Sequence, residues 1–163
     1  MTVFIGVDPG LTGAISFVTE RTCVVEDLPT MPLPGNGLVT RKIDGRALVS
    51  IIRANVPPGE VVQVFCEQVG TMGGKDNAVQ TQGSLMRTLG AIEAVLECMR
   101  MAPEMVSPQR WKGFYGLGSK KGESLDRARS LYPSLASISL RLAKHHNRAE
   151  SVLIAHWGLR NKA

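Results

Sequence analysis

The chain has 163 residues, with 19 Lys or Arg against 14 Asp or Glu, a formal charge of +5 and a pI near 9.4. Its 44% hydrophobic and 20% charged content is that of an ordinary folded chain, which excludes a disordered or low-complexity protein and fits one domain, 1–163. The basic excess suits a polyanionic partner without singling one out.

Residues Val3 to Asp8 alternate and are rich in β-branched side chains, so they read as a strand, followed by turn signals at Pro9-Gly10 and Thr12-Gly13. Ala14 to Val18 and Cys23 to Leu28 follow closely as two more short strands, which favours an antiparallel meander. The stretch from Pro29 to Gly37 holds three prolines and two glycines and reads as a loop without regular structure. Asp44 is a plausible N-cap for a helix running to about Asn55, ended by Pro57-Pro58-Gly59.

Val61 to Glu67 is an almost unbroken apolar run, the pattern of a strand buried on both faces. The longest helical pattern runs from about Asn77 to Met101, with Leu85, Leu89, Ile92, Leu96 and Met99 forming a narrow seam. That seam serves either core packing or a dimer contact, and Gly83 and Gly90 would let another backbone approach. Beyond it come a short strand at Glu104 to Val106, a helical turn opened by Pro108, a polar helix from Lys121 to Tyr132, and an amphipathic helix from Arg148 to Leu159. Strands first, then helices between later strands, indicate an α/β layer fold with a mixed sheet.

Cys23, Cys66 and Cys98 lie far apart with no metal-ligand spacing, so free and mostly buried thiols are expected. No segment offers the roughly 18 uninterrupted apolar residues of a membrane span, and the first residues do not resemble a signal peptide. The expected location is cytoplasmic, with no membrane partner.

Asp8 and Glu67 stand at the ends of strands, where α/β sheets commonly place their sites. An ionised side chain directly after Val61-Val62-Gln63-Val64-Phe65-Cys66 does not serve packing, although Glu67 could simply end its strand in solvent. Glu150 lies near a helix amino terminus, a place that the helix dipole alone would favour. Three carboxylates brought together repel one another unless a cation lies between them. Hard oxygen donors suit Mg²⁺, with Mn²⁺ as a substitute, and two such ions can activate water and stabilise a leaving phosphodiester oxygen.

The segment Ile5-Gly6-Val7-Asp8-Pro9-Gly10-Leu11-Thr12-Gly13-Ala14 resembles the first-strand motif of the RuvC family of Holliday-junction resolvases. Glu67-Gln68-Val69 resembles its second acidic motif, and Arg148-Ala149-Glu150-Ser151-Val152-Leu153-Ile154-Ala155 its last helix. Order and spacing match across nearly the whole chain, most like the compact phage-type members. The resemblance implies an RNase H-like fold: a mixed five-stranded sheet, antiparallel meander then parallel strands, flanked by helices. It also implies a homodimer and paired, magnesium-dependent incision of four-way or otherwise branched DNA, with Asp8, Glu67 and Glu150 as metal ligands.

The chain departs from the family where an acidic residue commonly precedes the last carboxylate by three positions, because here Asn147 follows His145 and His146. Asn147 could offer a carbonyl oxygen and His146 an imidazole nitrogen, either of which lowers the site's negative charge by one against four carboxylates. That asparagine leaves open a junction-binding protein that cuts weakly or not at all.

Arg110, Trp111, Lys112, Phe114, Tyr115, Lys120 and Lys121 interleave cations with aromatics, the mixture that holds phosphates and stacks on unpaired bases. Trp111 could equally plug the core. By resemblance, the Gly116-Leu117-Gly118-Ser119 turn followed by Lys120 and Lys121 matches a segment whose lysine sits near the scissile phosphate. Lys75, in the glycine-rich loop after Glu67, could meet a phosphate or be an ordinary solvated lysine, and His156 is expected to be a packed or surface residue. Asp8-Pro9-Gly10-Leu11-Thr12-Gly13 also fits the first phosphate loop of actin and sugar-kinase ATP-binding proteins, but 163 residues leave no room for their second lobe.

Overall fold

The computed structural model describes residues 1–35, 37, 39–70, 78–118 and 120–162, without the side chains of 78–81 and 121. Strands β1 (Thr2–Asp8), β2 (Ala14–Val18) and β3 (Cys23–Asp27) form the expected antiparallel meander. Next come a short strand pair, β4 (Thr30–Pro32) and β5 (Arg41–Ile43), and helix α1 (Gly45–Asn55). Strand β6 (Val61–Glu67), helix α2 (Ala78–Cys98) and strand β7 (Pro103–Val106) complete the sheet in the order β3-β2-β1-β6-β7, with β1, β6 and β7 parallel. Helices α3 (Pro108–Tyr115), α4 (Lys121–Leu131), the single turn α5 (Pro133–Ala136) and α6 (His146–Lys162) follow. The sheet expected from the resemblance, five strands with an antiparallel half and a parallel half, is the sheet observed.

Alternation along the strands decides which side chains meet which helices, because successive residues point to opposite faces. Val3, Ile5 and Val7 of β1 join Val64 and Cys66 of β6 in one apolar layer with Leu48 and Ile52 of α1 and Ile92 and Leu96 of α2. Phe4 and Phe65 point the other way, into a second layer with Trp111 of α3, Leu125 of α4, and Val152, Leu153 and Trp157 of α6. Asp8 and Glu67 share the parity of Phe4 and Phe65, so both carboxylates belong to the face that α6 covers.

Helix α6 lies unusually close to β1. A Cβ at Gly6 would meet the Ser151 carbonyl oxygen and, at 2.5 Å, the Ala155 nitrogen, so glycine is what lets helix and strand touch. Ser16 of β2 then donates its hydroxyl to the Ser151 carbonyl at 2.7 Å, a fully buried tie between sheet and helix.

Several expectations change. Thr30 to Pro32, expected to be irregular, pairs with Arg41–Ile43, and proline is tolerated there because it ends a two-stranded ribbon. The α2 seam contributes to core packing, with Leu89, Ile92 and Leu96 buried against the sheet. Gly83 and Gly90 are exposed, with no atom near their Cβ positions, and admit no backbone among the described residues. Strand β6 is buried only in its second half, with Val61 61% exposed. Pro108 opens a two-turn helix rather than a single turn, because Ser107 caps it at one end and left-handed Gly116 (φ 66°) closes it at the other. Cys66 is buried and Cys23 partly so, with its thiol pushed up to about 12 by burial, but Cys98 is exposed at the end of α2. No helix among the described residues is long and apolar enough to cross a membrane.

Candidate metal and nuclease site

Asp8 ends β1 and Glu67 ends β6, and the parallel register pairs Val7 with Cys66. The two carboxylates therefore leave the same edge of the sheet side by side. Glu150 enters from α6, whose path over β1 is fixed at Gly6. Three elements thus deliver the three acidic residues to one place, on one face of the sheet.

The electrostatics record that proximity. The Asp8 carboxyl is held well above the ordinary carboxylate range, first by burial and then by the negative charges of Glu67 and Glu150, while Lys112 pulls it back. Glu67 is raised likewise by burial and by Glu150, opposed by a hydrogen bond from Trp111 and by Lys112. A cluster whose acids resist ionisation in one another's presence is stabilised by a cation among them, and carboxylate oxygens are the donors that a hard divalent ion prefers. Asp8, Glu67 and Glu150 fit such an ion in kind and charge and would hold it. As the side chains now stand, no three His, Cys, Asp or Glu groups among the described residues close to ligating distance.

Two neighbours on α3 occupy the acids instead. Trp111 Nε1 donates to Glu67 Oε2 at 2.9 Å. Lys112 Nζ lies 3.4 Å from Glu150 Oε1, the oxygen that also accepts from Ser124 Oγ at 3.3 Å. Lys112, expected among the cations that hold DNA phosphates, has its ammonium beside the acidic cluster. The indole of Trp111 is fully buried, so it both packs the core and touches the site. Neither the indole bond nor the Ser124 contact was anticipated, and only the buried polar edge of a tryptophan hinted at the first.

Asn147 lies one turn before Glu150, and its amide Nδ2 donates to the Thr12 carbonyl at 2.7 Å and to Thr12 Oγ1 at 3.2 Å. The side chain thereby ties the start of α6 to the turn that follows Asp8. Gly13 in that turn has no room for a Cβ, which would run into the Asp8 carbonyl and come within 3.0 Å of the Gly10 nitrogen. His146 is half-buried beside Asn147 in an open cleft of about 700 Å³ that also admits Thr12, Asp27, Lys144 and Arg148.

The remaining expected residues scatter. Arg110 stacks its guanidinium over the Trp157 ring at 4.8 Å and reaches Glu104 at 3.8 Å, so it is engaged within the chain. Lys120 is exposed at the N-cap of α4. Lys121 begins α4, and its side chain, like the whole of Lys75, lies outside the described residues. His156 is partly buried with Nδ1 2.7 Å from the Tyr115 hydroxyl, away from the acids. A second cleft of about 570 Å³ runs from Pro9 and Glu67 past Gln68 and Leu85 to Ser107 and Pro108, an open approach to the site.

No protein-family model matches the chain. In an alignment of 122 residues that covers 70% of the chain, it is 35% identical to the chloroplastic Holliday junction resolvase MOC1 of Chlamydomonas reinhardtii, and it spans 14% of that protein. Thermus thermophilus RuvC has a similar structure, with a TM-score of 0.54 at 13% identity, covering 97% of this chain and 95% of that one. T. thermophilus RuvC in complex with Holliday junction substrate is equally similar, with a TM-score of 0.54 over 99% of this chain and 97% of the other. The chain is thus related in sequence to a Holliday junction resolvase over most of its own length, and it shares the RNase H-like fold of RuvC over nearly all of it.

Proposed function

We propose that the chain is a divalent-metal-dependent endonuclease that resolves four-way or other branched DNA junctions by paired incision as a homodimer. The observation that carries this reading is the meeting of Asp8, Glu67 and Glu150, from three elements, in a cluster that holds the first two acids above their ordinary range. When bound there, Mg²⁺ or Mn²⁺ would supply the charge that activates water and stabilises the leaving oxygen of a phosphodiester. The protein's part is to fix three carboxylates, to keep Lys112 beside them as a cation available to a phosphate oxygen, and to present Lys120 at the rim. Lys121 and Lys75 belong to the same proposed DNA path. No covalent link between enzyme and DNA is involved.

The direct test is a labelled four-way junction incubated with the purified chain. Symmetric paired nicks that require Mg²⁺ and vanish with chelator are expected, with a sedimenting species of two chains per junction. Absence of any incision under Mg²⁺ or Mn²⁺ overturns the nuclease reading.

A second reading, a junction-binding protein that cuts poorly, is favoured by Asn147, whose amide donates to the Thr12 carbonyl where the family commonly has an acid. Its signature is tight junction binding without cutting, with incision gained by Asn147→Asp. That substitution loses the amide's donor and sets a carboxylate against a carbonyl oxygen, so a gain in activity would have to come with some loss of stability.

A further inference from the structure

We propose that Trp111 is a positioning residue for Glu67, its indole N–H fixing one oxygen of that carboxylate before a cation arrives; the inference rests on the metal-dependent reading above. The indole of Trp111 is wholly buried in the core layer that α3, α4 and α6 share with the sheet. A buried indole N–H must find an acceptor, and the one it has is Glu67 Oε2 at 2.9 Å.

The ring cannot drift from that acceptor. Helix α3 is set at its start by Ser107, whose hydroxyl accepts from the Arg110 nitrogen at 3.3 Å, and by Pro108 in the first turn. Its end is set by left-handed Gly116. Core packing alone would be served as well by a side chain without a donor. What an indole adds is a directed bond to a charged oxygen, which is shorter and stronger than a bond between neutral groups.

Trp111 and Lys112 then do different things to neighbouring acids. Lys112 brings a full positive charge to 3.4 Å from Glu150 Oε1, so a metal ion must compete with it. The indole carries no net charge, so it orients Glu67 and leaves the carboxylate's charge for the ion. Partners that orient a ligating carboxylate in this way govern metal affinity, and their loss commonly costs about 10- to 100-fold.

The experiment compares Trp111→Phe, which keeps an aromatic ring in the core and removes the N–H, with a protein carrying 3-benzothienylalanine at position 111. The latter keeps the two-ring shape and places sulfur where the N–H was. Mn²⁺ binding is measured directly from the paramagnetic signal of the free ion, with melting temperature, junction binding and the Mg²⁺ dependence of incision alongside. The expected result is junction binding unchanged, a Mn²⁺ dissociation constant raised about tenfold, and a matching rise in the Mg²⁺ needed for half-maximal incision. A merely structural Trp111 would lower the melting temperature and leave metal affinity alone. If Trp111→Phe fails to fold, the benzothienyl protein decides by itself. Mn²⁺ affinity within about twofold of the parent in the folded variants overturns the inference alone and leaves the nuclease reading standing, because loss of a partner that orients a ligating carboxylate costs about tenfold or more. A parent protein that binds no Mn²⁺ overturns both.

Discussion

On one face of the sheet, α1 and α2 lay Leu48, Ile52, Ile92 and Leu96 over Val3, Ile5, Val7 and Val64, and Thr88, a buried polar group of α2, bonds within its own helix. On the other, α6 comes close enough to touch β1 at Gly6, and the buried hydroxyls of Ser16 and Ser124 reach across to Ser151 and Glu150. The first face is held by apolar area, which tolerates small displacements of its members. The second is held by a close backbone approach and directed polar bonds, and it is the one that carries Asp8, Glu67, Glu150, Trp111 and Lys112. Stability and site are thus divided between the two sides of five strands, with the strand ends as the meeting point.

The strongest way to test that division is at Asp8. Asp8→Asn removes a candidate metal ligand and is expected to reduce junction incision at least about 100-fold, more than the loss of a partner that only orients a ligand, while junction binding stays intact. The same substitution should stabilise the metal-free protein at neutral pH. Burial and two neighbouring acids raise the Asp8 carboxyl above its unfolded value, so through that window the folded chain holds more protons than the unfolded one. Stability therefore falls as pH rises through it, and asparagine removes the penalty. With chelator present, a rise in melting temperature of about 2–4 °C is expected at pH 7 for each kcal/mol recovered, vanishing below the ordinary carboxylate range. A lower melting temperature at pH 7 would mean that the acids are not in conflict.

The opposite face gives the converse test. Leu96 is fully buried between α2 and the sheet, and Leu96→Ala should cost roughly 2–5 kcal/mol of stability through lost burial and a cavity. Incision per folded molecule and Mn²⁺ affinity should be unchanged at a temperature where the variant remains folded. A loss of specific activity comparable to that of Asp8→Asn would show that the two faces are not separate in function.

Sequence patterns carried the sheet well because alternation and β-branched runs report on burial directly, and the ends of β1 and β6 placed Asp8 and Glu67 without further help. Glu150 was legible only through its likeness to the last helix of the family, since a carboxylate in a first helical turn has an ordinary electrostatic explanation. The Thr30–Pro32 strand was hidden by its prolines and glycines, which count against any ladder until a partner such as Arg41–Ile43 is known. The bond from Trp111 to Glu67 spans 44 positions, and Ser124 to Glu150 spans 26, and no local pattern encodes contacts of that range. Arg110 likewise meets Trp157 and Glu104 across 47 and 6 positions, contacts that its place among neighbouring aromatics did not signal. Gly6 could have been read better, because a glycine inside a strong strand pattern signals a close backbone approach.

The smallest expected effect concerns how the start of α6, which bears Asn147 and Glu150, is held. Arg148 binds Asp27 of β3 through both carboxylate oxygens at 2.6 Å and the Ser139 carbonyl at 3.1 Å. Its hydrogen bond lowers the Asp27 carboxyl below the usual range, so the pair contributes stability above the unfolded value and loses it as pH falls through the folded one. The Asp27 side chain is 62% exposed, which limits the pair to roughly 1 kcal/mol even with two-oxygen geometry. Arg148→Met should therefore lower the melting temperature by a few degrees at neutral pH and low salt. The part due to Asp27 should disappear in strong salt or well into acid, leaving the lost bond to Ser139. Buried Ala149, Val152 and Leu153 flank this point on the helix and keep it seated, so a large and salt-insensitive loss would mean that the ion pair, and not the apolar layer, fixes where Glu150 enters the site.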